Sequence, residues 1–152
     1  MQLFRHAETE YNEYKGISGI DLNEAGKNRR YITTKYPIIF SSLANRAIAT
    51  AGMIAEQNGG IVVPTPLLNP FSAGSNEDYI RLMMEQNGGF IYRWLKGECD
   101  NEAVHKPETI FKRKEEFLNL VKGIANVVVV THREVLLSWF GVDVRKGEYI
   151  EI

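Results

Sequence analysis

The sequence predicts a single three-layer α/β/α domain built on a mainly parallel sheet, and three observations point to it. Short apolar runs alternate with helical periods along the 152 residues, the pattern of strands joined by crossover helices. The run "NVVVVTH" (126–132) is continuously apolar rather than alternating, as a strand covered on both faces requires. Three apolar runs each end in a polar, anion-seeking cluster, which is expected where parallel strand ends open into one crevice.

Taken in order, Met1 to Phe4 reads as a first strand. "NEAGKNRRYITTKYP" reads as a helix that must stop before Pro37, because the proline ring disfavours a helical residue ahead of it. "IIFSS" is a second strand. "LANRAIATAGMIAEQNGG" carries Ala47, Ile48, Ala51, Ile54 and Ala55 as a helical stripe and ends at Asn58-Gly59-Gly60. "GIVVP" is a third strand. From about 66 to 106 the pattern loosens. "LLNPFSAGSNED" has the Pro, Gly, Ser and Asn content of a loop, and two short helices are expected near Asp78–Gln86 and Phe90–Lys96. This stretch reads as a small helical insertion over one end of the sheet. "PETIFKRKEEFLNLVKG" is a helix with Ile110, Phe117 and Val121 on one face, and its "KRKEE" is expected to face solvent. Val127 to Val130 is a buried strand, "EVLLSWFG" a helix and "GEYIEI" an edge strand.

Composition narrows the function classes. The chain is 44% hydrophobic and 24% charged, with a net charge of −1, so its surface as a whole would not attract nucleic-acid phosphates or anionic lipid. No nucleic acid and no membrane are expected as partners. No apolar run approaches the ~20 residues of a membrane span, and no signal-peptide pattern opens the chain. Cys99 is the single cysteine, which excludes an intramolecular disulfide and fits a cytoplasmic protein. Three scattered histidines without an i, i+4 pair give no metal-site spacing, so no metal or other cofactor is expected. His105 reads as a surface residue, and Tyr11, Tyr14 and Tyr79 as packing aromatics. A homodimer is compatible with the sequence but not indicated by it.

The chemistry is carried by Arg5-His6, by Ser41 to Arg46, and by Thr131-His132-Arg133, each directly after a strand. Helices starting there would add backbone N–H groups and a positive dipole end. Two histidines and at least two arginines would then meet around one anion. A neutral imidazole can attack phosphorus to give a phosphohistidine, while guanidinium forks hold the equatorial oxygens.

On these residues the sequence resembles the histidine phosphatase superfamily, which includes the cofactor-dependent phosphoglycerate mutases. "RHAETEYN" is similar to Arg-His-Gly-x-Thr-x-x-Asn, and "GISGIDLNEAG" to the segment running from glycine to Leu-Thr/Asn-Glu-x-Gly. "SSLANRAIATA" is similar to Ser-x-x-x-Arg-Ala-x-x-Thr-Ala, and "VVVVTH" to the strand ending in the second histidine. The resemblance implies a phosphoglycerate mutase-like fold, with His6 as nucleophile. Arg5, Arg46 and His132 would hold the phosphoryl group, with Asn12 as a further contact.

The departures are specific. Ala7 stands for the glycine after the nucleophile. Arg133 stands for the glycine after the second histidine, where it would narrow the pocket or add a phosphate contact. Gly19 and Asp21 replace an aspartate and a proline. Counting back from Gly74, Pro70 falls where relatives carry the glutamate that protonates the leaving group. Glu77, or alternatively Asp78, is the tentative acid, with Glu8 and Glu10 more remote. The expected activity is metal-independent hydrolysis of a small phosphorylated substrate. The rival readings are a phosphoglycerate mutase-type transfer and a catalytically weak module that binds phosphate or a phospho-ligand.

Overall fold

The computed structural model describes residues 1–10, 21–70 and 107–152. The expected short helices at 78–86 and 90–96 lie outside the described residues.

Among the described residues five strands form one sheet in the order β3-β2-β4-β1-β5. They are β1 (Gln2–Arg5), β2 (Ile38–Ser41), β3 (Ile61–Pro64), β4 (Val127–Thr131) and β5 (Tyr149–Glu151). All pairings are parallel except the antiparallel edge pair β1 and β5. β4 is the middle strand and all five of its residues are buried, which is why its sequence is an uninterrupted apolar run.

Side chains alternate across the sheet with a period of two. Leu3, Phe40, Val127 and Val129 point to one face. There they pack with Ile110 and Phe117 of α3 (Pro107–Val121) and with Val135, Leu136, Leu137 and Trp139 of α4 (Arg133–Phe140). Phe4, Ile39, Val128 and Val130 point to the other face, against Ala47, Ala51 and Ile54 of α2 (Asn45–Asn58) and Tyr31. Helices on both faces make the three layers the sequence predicts. Ile48, read as part of the α2 stripe, instead sits at its flank, about a third exposed at 36%. α2 ends at Gly59, whose φ of 75° is a left-handed cap conformation.

The helix expected from Asn23 to before Pro37 is corrected. Only α1 (Glu24–Lys27) forms. Asn23 caps its start by accepting from the Gly26 amide at 2.9 Å. Asn28 ends it, with backbone and side-chain N–H groups both donating to the Glu24 carbonyl. Beyond it, the Tyr31 amide donates to Gln57 Oε1 and the Thr33 amide to Asn58 Oδ1. The end of α2 therefore satisfies the backbone that a longer helix would have satisfied itself. The β-branched run Ile32-Thr33-Thr34 favours this extended course.

The loosened stretch expected from 66 also begins differently. Pro66–Leu68 is a 3₁₀ turn and Leu68 is fully buried in the core. The turn is held by Arg113, whose guanidinium donates to the carbonyls of Leu67 and Asn69, and by Thr131 Oγ1 donating to Leu68 at 2.8 Å. Arg113, read as part of a solvated face, thus points inward, and Lys114 donates to the Trp139 carbonyl.

Phe117 is fully buried between Phe40 and Trp139, with ring centroids at 5.6 and 5.7 Å. Phe117→Ala is expected to cost about 3–5 kcal/mol, read as a lower urea midpoint with an unchanged slope.

Candidate active site

The carboxyl ends of β1, β4 and β2, three adjacent strands, present His6, His132 and Ser42 side by side. Each position is fixed by ladder hydrogen bonds that continue past the strand: the His6 amide donates to Thr131 O at 3.0 Å and the Ser42 amide to Val130 O at 3.1 Å. α2 and α4 both begin at this rim, with Ala44 and His132 as their N-cap residues. Their first-turn N–H groups and positive dipole ends favour an anion there. Arg46 enters from the first turn of α2 and is almost completely buried.

Arg46 is the hub. Its Nε donates to His6 Nε2 at 3.3 Å and its Nη2 to His132 Nδ1 at 3.2 Å. The two imidazole centroids are 5.3 Å apart. A guanidinium only donates, so both ring nitrogens it meets carry lone pairs. The other His6 nitrogen, Nδ1, lies 2.8 Å from the Ala7 carbonyl, an acceptor only, so Nδ1 holds the proton. His6 is thereby fixed as the tautomer whose Nε2 lone pair opens into the site. The Ala7 amide in turn donates to Thr50 Oγ1 at 2.9 Å, and Thr50 donates to Arg46 O at 2.7 Å. One threonine on α2 thus ties the loop after His6 to Arg46.

Both histidines are held well below the ordinary imidazole range. For His6, burial is the main cause, followed by the Arg46 charge, with Arg5 and Lys146 adding to it. For His132, burial again leads, followed by Arg46, His6, Arg5 and Arg113. Arg5 donates from Nη1 to the Val144 carbonyl at 3.3 Å, and its charge acts on both rings. The site is a buried positive pocket with two neutral imidazoles, suited to a phosphoryl dianion.

The match to a family model decides the assignment: residues 1–150 match the model of the histidine phosphatase superfamily, branch 1. The chain belongs to this superfamily. A putative phosphoserine phosphatase 2 of Hydrogenobacter thermophilus is 30% identical over 146 residues, covering 87% of this chain and 72% of that protein. Among solved structures, mycobacterial hydrolase 1 superposes with a TM-score of 0.73 at 14% identity, covering 98% of this chain and 88% of its own. The α-ribazole phosphatase of Shigella flexneri gives 0.67 at 20% identity, covering 97% and 87%. The phosphoglycerate mutase-like fold expected from the sequence is therefore the fold observed.

Within this superfamily member, three residues singled out in the sequence, His6, Arg46 and His132, meet at one point, and Arg5, next to His6, acts on both rings through its charge. Arg133 instead directs its guanidinium at the Asp143 carboxylate, with Nε to Oδ1 at 2.7 Å. Glu8, a remote candidate acid, is paired with Arg29, which holds its carboxyl below the usual range. Pro70 is buried. Asn12, Glu77 and Asp78 lie outside the described residues, as do His105, Cys99 and the three tyrosines. Among the described residues no group of three His, Cys, Asp or Glu side chains is placed to hold a metal ion, and no helix is long and apolar enough to cross a membrane. Ser42, Thr50 and Lys146 were not assigned from sequence. For the first two the signal was present, since both are fixed letters of the "SSLANRAIATA" motif.

Thr50→Val leaves the buried Ala7 amide without its acceptor. It is expected to cost about 1–3 kcal/mol and to lower turnover by loosening His6, which denaturation and steady-state kinetics would measure. pH gives a second check. Because both folded-state imidazoles have lowered pKa values, the unfolded chain takes up protons first as pH falls below about 6.5. The contribution of these two groups to the stability of the anion-free protein should be constant above that pH and decline below it. The decline should be shallower in His132→Asn, as followed by Tm across a pH series.

Proposed function

We propose that the protein is a phosphomonoesterase that hydrolyses a small phosphorylated substrate through a covalent phosphohistidine on His6, without metal. The observation that carries this reading is the neutral His6 ring. Its Nδ1 proton is committed to Ala7 O and its Nε2 lone pair faces the Arg46 guanidinium. The phosphatase names of its relatives support hydrolysis as the reaction class.

On arrival of the phosphoryl group, the Arg46 N–H donors turn from the imidazoles to the equatorial oxygens, which frees Nε2 for in-line attack. The Nε2–P bond forms as the P–O ester bond breaks, and the departing oxygen takes a proton from a carboxylic acid. Water then attacks phosphorus, the P–N bond breaks, and the carboxylate receives the proton of that water. Arg5, Arg46 and His132 neutralise the charge on the transferring group, with Asn12 as a further contact. The acid comes from Glu77 or Asp78, because Pro70 carries no proton to give.

Wild type is expected to cleave both an activated aryl phosphate and alkyl phosphomonoesters, and His6→Ala neither. Arg46→Ala should lower kcat/KM about 10²–10³-fold. Removing the true acid, as Glu77→Gln or Asp78→Asn, should reduce alkyl ester turnover about 10²–10⁴-fold and aryl turnover far less. An active His6→Ala variant sinks the mechanism. The proline at position 70 favours one other reading, a weakly catalytic phospho-ligand module, whose mark would be orthophosphate binding without turnover of any ester.

The aryl ester, which needs no acid, also tests the nucleophile. With His6 held neutral by burial and by Arg46, the acidic limb of its kcat/KM should lie well below pH ~6.5. A limb at or above that value would show that His6 is not the neutral base described.

A further inference from the structure

Ser42 is fully buried at the end of β2. Its Oγ lies 2.7 Å from His132 Nε2 and accepts from the Ala44 amide at 3.1 Å. The opposite ring nitrogen, Nδ1, accepts from Arg46 Nη2. Since Arg46 is a donor only, the anion-free ring carries its proton on Nε2, and Ser42 Oγ is its acceptor. His6 and His132 therefore rest as opposite tautomers, His6 with the proton on Nδ1 and His132 with it on Nε2.

This has a consequence for anion capture. The His132 nitrogen that faces Arg46 is Nδ1, and in the resting site it has no proton to give to a phosphoryl oxygen. As long as Ser42 Oγ accepts Nε2–H, His132 becomes a donor on that side by gaining a second proton at Nδ1. Arg46 sets the resting tautomer, and we propose that Ser42 is a positioning residue that keeps the proton on Nε2 when Arg46 turns to the anion, so that phosphoryl binding takes up a proton at His132 Nδ1. The balance is simple. A dianionic phosphoryl group arrives with one proton from solvent, or a monoanionic one transfers its own P–OH proton. In either case the product is an imidazolium donating Nδ1–H to the anion and Nε2–H to Ser42. The groups facing the ring set the bias. Arg46 from α2, Arg5 and His6 from β1 and its end, and Arg113 from α3 all oppose the charged ring until a dianion is present. The assignment rests on the phosphoryl-binding reading of the site, not on turnover.

The test uses histidine labelled with ¹⁵N in the full chain, where long-range proton–nitrogen spectra distinguish the two tautomers of each ring. His132 is assigned with His132→Asn. Expected are Nε2–H for His132 and Nδ1–H for His6 without anion, and a doubly protonated His132 with orthophosphate. Calorimetry with orthophosphate in buffers of different ionisation enthalpy, at alkaline pH, should show uptake of about one proton per anion bound. Ser42→Ala should keep the resting tautomer that Arg46 sets, bind orthophosphate about tenfold more weakly and, with Nε2–H no longer held, take up less than one proton. Ser42→Thr, which keeps the hydroxyl, should restore the proton uptake. A wild-type His132 with its proton on Nδ1 overturns the proposal, and so does a Ser42→Ala protein with unchanged proton uptake. Should neither variant fold, the wild-type spectra and proton count decide alone. Orthophosphate binding with the expected proton uptake but no ester turnover would sink the hydrolase reading and leave the role of Ser42 standing.

Discussion

The structure depends on β4 lying between β1 and β2. Parallel pairing with Gln2↔Val128 on one side and Ile38↔Val127 on the other fixes where three strands end. Those ends deliver His6, His132 and the start of α2. Neighbouring strands are about 4.8 Å apart, and the two imidazole centroids are 5.3 Å apart. The spacing of the two rings is thus essentially the spacing of the ladder. A slip of one residue in β4 would turn each of its side chains to the opposite face, withdraw His132 from the rim and exchange Val128 and Val130 with Val127 and Val129 between the two cores.

Charge is arranged on that frame so that cations gather and the bases stay neutral. Arg5, Arg46 and Lys146 all act on His6, while Glu8 pairs with Arg29, Asp143 pairs with Arg133, and the buried Glu134 of α4 acts on Arg113. The described histidine pocket is left positive, which is the field a phosphoryl dianion would complete. In its absence Arg46 divides its donors between two imidazoles, neutral acceptors that hold it less strongly than charged oxygens would.

Much of this was legible in the sequence because strands and strand ends are local signals. The valine run announced a buried strand, and Arg5-His6 and His132 each follow such a run directly. What was not legible came from contacts between distant segments. The stretch after Lys27 has a helical beginning, but its backbone donors find Gln57 and Asn58 on α2, which no local period reveals. Arg113 sits in a mixed-charge run typical of a solvated face, while three backbone carbonyls of the Pro66 to Asn69 turn draw it inward. Ser42 and Thr50 were visible as motif letters without a role, because their work consists of accepting and donating hydrogen bonds to partners 90 and 43 residues away.

The strand order also has a consequence in time. β2, α2 and β3 are contiguous and can pair as they are made, but both neighbours of β1 are β4 and β5. The first strand therefore waits for residue 128 before it finds a partner. At roughly 5–20 residues per second of synthesis, that interval is on the order of 6–25 s. During it Leu3 and Phe4, both fully buried in the finished protein, have no sheet to join. A nascent chain halted before β4 would carry His6 and Arg46 while still lacking the strand that lies between β1 and β2.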